Sequence, residues 1–249
     1  MPRKQPKPLE GKVAPDNPFY GIIQDAYAVF DYDKPTATGV CVGCCMEPDI
    51  EEDFFRPDIA DMPLHYVRDW FFAACNPGLS KRIWGYLLPR VLEVMACDLD
   101  PANVGLEVSL SRFPTGDRQQ WSKAEWEVLD RFQRLFLVQS MTSKQNYLDD
   151  VLCLFGNAGW PLEDLFAQVT AMPDKLLVER LWSDWCLGRP SVWITAFWEG
   201  GGNTAAFDFY TSQEMQERME RFALDEATAP DMVEKAMAVA SVIYSAAGR

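Results

Sequence analysis

The sequence predicts an all-α protein, with about ten or eleven helices in a multi-helix bundle or a HEAT-like helical stack. Three observations carry this. Apolar residues recur at i, i+3, i+4 and i+7 along most of the chain. Cap residues, prolines and glycines stand at the ends of those stripes. There is no sustained period-2 run and no Asn-Gly hairpin turn, so strands have little support.

The elements follow in chain order. Asn17-Pro18 places a cap residue before a proline suited to a first helical turn. A short helix is expected over Pro48–Phe55, and another opens at Pro63-Leu64 with Leu64, Val67, Phe71 and Ala74 on its inner face. Trp84, Leu87, Leu88, Val91, Val94 and Met95 form a longer stripe. Asp100-Pro101 reads as a further helix start. Ser122-Lys-Ala-Glu125 is a capping box, in which hydroxyl and carboxylate satisfy each other's backbone N–H, and Val128, Leu129, Phe132, Leu135 and Phe136 follow it. Next come Leu148, Val151, Leu152 and Phe155, then Leu162, Leu165, Phe166 and Val169, then Val178, Leu181, Trp182 and Trp185. Gly188 and Pro190 stop the last of these. Ser191–Trp198 is rich in β-formers but is read as a short helix, with Gly200-Gly201-Gly202 as a flexible connection. Thr211-Ser-Gln-Glu214 is a second capping box, and Met232, Ala236, Val239, Ala240 and Ile243 close the chain.

No Gly-, Ser- or Pro-rich linker divides the interior, so residues 16–249 are expected to form a single helical domain. Residues 1–15 read as a solvated tail, because Pro2, Pro6 and Pro8 deny a helix there. No apolar run follows the basic start, which excludes a secretory signal pattern. The longest nearly apolar stretch, Ala236 to Ala247, is far short of the roughly 20 residues a span needs. A cytoplasmic protein with no membrane partner is the expectation, and all seven cysteines are read as reduced thiols.

The chain carries 37 Asp and Glu against 23 Lys and Arg, a net charge of −14. That field repels a phosphate backbone, so nucleic acid is not an expected partner. The single histidine, His65, leaves imidazole chemistry one candidate and no evident nucleophile to pair with it. No dinucleotide fingerprint, Walker loop, nucleophile elbow, zincin helix or kinase signature is present, so catalytic residues and any enzymatic activity stay unassigned.

The most pointed local feature is Cys41-Val-Gly-Cys44-Cys45. A C-x-x-C turn can aim two thiolates at one ion, and Cys45 and His65 would complete a zinc set of Cys41, Cys44, Cys45 and His65. The same cysteines can instead form a redox pair, or simply fill a loop before the following helix. The carboxylates at Asp49–Asp61 and at Asp149, Asp150, Glu163 and Asp164 read as solvated helix starts, which the helix dipole favours. Trp182 and Trp185 belong to a core stripe, whereas an exposed Trp193 or Trp198 would mark a partner groove.

Met62-Pro63-Leu64, Tyr86-Leu-Leu-Pro-Arg-Val-Leu-Glu-Val-Met95, Tyr147-Leu-Asp-Asp-Val-Leu-Cys-Leu-Phe155, Phe197-Trp198 and Met215-Gln-Glu-Arg-Met-Glu-Arg-Phe222 occur in an order that resembles a group of uncharacterised bacterial proteins. The likeness covers residues 38–247, and the chain departs from it at Asn76–Trp84. It implies a helical fold in a bacterial cytoplasm and no particular substrate or cofactor. Three functions are expected on these grounds: protein–protein interaction through an acidic or aromatic helix surface, zinc binding at the cysteine segment, and acidic mimicry of nucleic acid.

Overall fold

A computed structural model describes residues 9–41, 45–74 and 79–248. Among them the fold is helical, with eleven α-helices and no strand. In order these are α1 (Tyr20–Val29), α2 (Pro48–Asp53), α3 (Leu64–Phe72), α4 (Lys81–Met95), α5 (Lys123–Ser140), α6 (Leu148–Asn157), α7 (Leu162–Thr170), α8 (Asp174–Trp185), α9 (Gly202–Tyr210), α10 (Gln213–Leu224) and α11 (Pro230–Ala246). Short 3-10 turns lie at Ile59–Asp61, Leu106–Val108 and Arg118–Gln120. By its internal contacts the chain gathers into two compact units, Met1–Phe113 with Arg118–Phe132 and Pro114–Asp117 with Gln133–Arg249.

The first unit is organised by α4, whose stripe residues Trp84, Leu87, Leu88, Val91, Val94 and Met95 are all buried. The same helix buries Arg90 and Glu93, an ion pair at 2.9 Å that is almost wholly shielded from solvent. Its remaining hydrogen-bonding capacity is used. Glu93 accepts from Lys12 at 3.0 Å and from the Tyr27 hydroxyl at 2.7 Å, while Arg90 donates to the carbonyls of Met62, Glu10 and Gly11. Burial and the Glu93 charge push the Tyr27 hydroxyl far above its usual range. The expected solvated tail over 1–15 is therefore corrected for residues 10–13: Gly11 and Val13 are buried and held by this pair. Residues 1–8 lie outside the described residues.

The start of α5 is the capping box expected at Ser122. Its N–H donates to Glu125 at 2.7 Å and the Glu125 N–H returns a bond to the Ser122 hydroxyl at 3.3 Å. Glu125 also receives the Tyr32 hydroxyl and lies 3.7 Å from Lys81, which together hold its carboxyl below the usual range despite burial. The second box shifts by one residue: Ser212, not Thr211, caps α10 and accepts from the Met215 N–H at 3.2 Å. Thr211 turns its hydroxyl back onto the Phe207 carbonyl.

Asp100 starts no helix. Its carboxylate gathers the Ala102 and Gly105 N–H groups at 2.7 and 2.8 Å and the Ser109 hydroxyl at 3.0 Å, which fixes a loop instead.

In the second unit, α10 and α11 pack on each other and on α8, and α6 contacts α7, α8 and α9. The buried stripes on α6 and α11 are those the spacing predicts: Leu148, Val151, Leu152 and Phe155, and Met232, Ala236, Val239, Ala240 and Ile243. Ser191–Trp198 is not the expected helix but an irregular strap. Two causes act together. Val192, Ile194 and Thr195 are β-branched and follow Pro190, so local preference for helix is weak. The strap's backbone groups also find partners elsewhere, on α8 and on the side chains of α6.

Candidate functional site

The strap is held to α6 at two points. Asp149, in the first turn of α6, accepts from the Thr195 N–H at 2.6 Å and from Trp198 Nε1 at 3.0 Å, both on Oδ2. At the other end of α6, Asn157 donates to the Phe197 carbonyl at 2.8 Å and accepts from the Glu199 N–H at 3.1 Å. Ser191 N–H donates to the Trp185 carbonyl at 3.1 Å, joining the strap to the end of α8. Two glycines make room for Trp198. A Cβ on Gly156 or Gly202 would stand 2.6 or 2.4 Å from its ring. Gly201, with φ of +85°, then turns the chain into α9, so the triple glycine is a helix entrance rather than the flexible connection expected.

Asp149 is only 2% exposed, which overturns its reading as a solvated helix-start carboxylate. Burial pushes its carboxyl up to about 6, against the opposing pull of the Thr195 and Trp198 donors. Beside it lies the Tyr210 hydroxyl of α9, fully buried and pushed well above its ordinary value by burial and by Asp149. The Tyr210 hydroxyl acts on Asp149 as a further donor and, like Thr195 and Trp198, opposes the rise of its carboxyl. Burial also raises Asp150 and Asp184, where the Tyr147 N–H and Trp193 oppose it at the first, and the Leu148 N–H and Arg180 at the second. Glu163 and Asp164 are exposed, as expected of helix starts.

The strap's first residues form one wall of a groove of about 690 Å³. Trp182 and Cys186 of α8 and its end, Val192 of the strap, Phe207 of α9, and Ala238 and Val242 of α11 are its main apolar lining. Trp182 is thus half-buried rather than committed to the core, and Lys235 lies over its ring at 5.2 Å. Burial pushes the Cys186 thiol up to about 11, which leaves it a poor nucleophile at neutral pH. Leu187, Met237 and Tyr244 are exposed at 57%, 45% and 50%. Leu187 directly follows Cys186. Met237 and Tyr244 share a helical face with Ser241, another lining residue, so apolar surface continues beyond the cavity on α11. A concave apolar site of this volume with an apolar margin is suited to binding.

Of the tryptophans singled out by sequence, Trp193 is 41% exposed and stacks on Tyr147 with centroids 4.8 Å apart, while Trp198 is half-buried over α6. The proposed zinc residues are placed only in part. Cys44 lies outside the described residues. Cys41 is half-buried, with its N–H bonded to the Ala74 carbonyl at 2.8 Å, and Cys45 is half-buried beyond the undescribed residues 42–44. His65 is exposed on the first turn of α3, with its ring edge-on to Tyr66. Among the described residues no three His, Cys, Asp or Glu side chains gather as metal ligands, and no helix is long and apolar enough to cross a membrane. Comparison with protein-family models, with curated proteins and with solved structures returns no match.

Proposed function

We propose that the protein works by binding another protein, and that the groove between α8, the strap, α9 and α11 receives the apolar face of a basic amphipathic helix. The supporting observation is the groove itself: a cavity of about 690 Å³ with Trp182, Val192, Phe207 and Val242 in its lining and exposed Leu187, Met237 and Tyr244 nearby. Helix-in-groove recognition uses apolar anchors at i, i+3, i+4 and i+7 against such a surface, with aromatic residues at its centre. The second unit holds 17 Asp and Glu against nine Lys and Arg in sequence, so a cationic partner is favoured in encounter and an anionic one is repelled.

The test is a fluorescence-anisotropy titration with a labelled 18-residue Leu/Lys amphipathic helix and its Leu/Glu counterpart. The Leu/Lys peptide is expected to bind, the Leu/Glu peptide to bind at least tenfold more weakly, and Val242→Arg to abolish the Leu/Lys signal. Equal binding of both peptides, or binding indifferent to Val242→Arg, contradicts the reading. A groove that takes anilinonaphthalene sulfonate but neither peptide is a site for a small apolar ligand instead.

A further inference from the structure

Four of the nine tryptophans carry a cation of this chain over the ring. Lys81 lies over Trp121 at 4.8 Å, Arg112 over Trp70 at 5.1 Å, Arg118 over Trp126 at 5.4 Å and Lys235 over Trp182 at 5.2 Å. Trp198 differs. It lines a second cavity, of about 310 Å³, with Asn157, Leu162, Glu199 and three glycines, and the lining holds no Lys or Arg. Among the described residues no cation stands over its ring. The indole is held in place, because Nε1 donates to Asp149 at 3.0 Å and the bare backbones of Gly156 and Gly202 admit the ring.

The polar side chains of this cavity have acceptors to offer and no donors. Asn157 Nδ2 donates to the Phe197 carbonyl at 2.8 Å and to Cys153 Sγ at 3.4 Å, so its two protons are spent. Its Oδ1 takes the Glu199 N–H at 3.1 Å and keeps a second lone pair. Glu199 adds an exposed carboxylate, and exposed Glu163 and Asp164 directly follow the lining residue Leu162. The entrance of α9 has little for an anion. The Gly202 N–H is bonded to the Glu199 carbonyl, and those of Thr204 and Ala205 to the Gly201 carbonyl. We propose that this cavity is a binding site for a guanidinium group, stacked on Trp198 and donating to the Glu199 carboxylate and Asn157 Oδ1. A cation over an indole face is attracted by the ring quadrupole. Guanidinium suits the site better than an ammonium, because it is planar, weakly hydrated and carries its donors in a fork that matches a carboxylate. A phosphate would meet carboxylates, and a neutral sugar would draw nothing from the charge. The site is separate from the groove and does not depend on that reading.

Indole N–H NMR on the full chain reads the site, with the Trp198 resonance assigned through Trp198→Phe. At fixed ionic strength, N-acetyl-arginine amide is expected to shift that resonance saturably. N-acetyl-citrulline amide, of similar shape without the charge, is expected to bind at least tenfold more weakly. Glu199→Gln, at an exposed position, is expected to weaken the arginine compound about tenfold while the other indole resonances stay in place. Val242→Arg, which blocks the groove, is expected to leave this binding unchanged. Free L-arginine separates two sources of the group. Capped arginine binding at least as tightly assigns the site to an arginine side chain of a partner, and free arginine binding tenfold more tightly assigns it to a small guanidino compound. Equal binding of the arginine and citrulline compounds, affinity indifferent to Glu199→Gln, or an unmoved Trp198 resonance overturns the site. Inorganic phosphate shifting Trp198 in place of arginine overturns it as well.

Discussion

Replacing Asp149 by Asn has a consequence for stability that depends on pH. A carboxyl whose native pKa is raised binds its proton more tightly folded than unfolded, so the native state gains relative stability at low pH and loses it as pH rises through the native value. For Asp149 the native value is about 6 against an ordinary 3.8. The full difference corresponds to about 3 kcal/mol, at 1.36 kcal/mol for each pH unit. Only part falls in a convenient range. Relative to pH 8, the contribution is about 1.4 kcal/mol at pH 5 and grows toward the full figure below pH 4. Asn cannot ionise, so the stability difference between wild type and Asp149→Asn isolates this residue, while Asp150 and Asp184, raised for the same reason, cancel. Urea unfolding followed by circular dichroism at half-unit steps from pH 5 to pH 8 gives the difference directly. Wild type is expected to gain about 1.4 kcal/mol on the variant between pH 8 and pH 5. A difference flat within about 0.3 kcal/mol, or one of opposite slope, refutes the assignment of a buried, raised carboxyl.

Three further perturbations test the packing. Phe132, 1% exposed with its ring 5.3 Å from Phe19, is expected to cost about 3–5 kcal/mol on replacement by Ala, measured by urea unfolding. Arg90→Ala should cost a similar 3–5 kcal/mol, because it leaves Glu93 charged and buried without its guanidinium, and thermal unfolding at pH 7 reads it. Ser122→Ala removes the hydroxyl that accepts the Glu125 N–H and should cost about 1 kcal/mol by the same assay.

The helices were legible because periodicity and caps act locally: the stripes of α4, α6 and α11 and the Ser122 box stand where the residues indicate. Tertiary partners decided what was not. Ser191–Trp198 gave no strong local preference, and Asp149, Asn157 and the Trp185 carbonyl claimed its backbone groups. Asp100 found three donors in its own loop and so capped no helix. Asp149 itself was readable in one respect. It shares a helical face with Leu152 and Cys153, both fully buried. The groove had no sequence signal, because Trp182 sits in a stripe that also serves a core and Val242 lies beside one, and only the packing of α8 and α11 shows which residues are left at the edge. His65, the histidine expected beside the cysteine motif, is exposed on the first turn of α3.

The binding claim is tested most directly by methyl NMR on protein labelled at Val and Ala, titrated with the Leu/Lys helix. Val192, Val242 and Ala238, all in the groove lining, are expected to shift together and saturate at one peptide per chain. Saturable shifts confined to methyls away from these three, or none at all, would contradict a docking groove at this site.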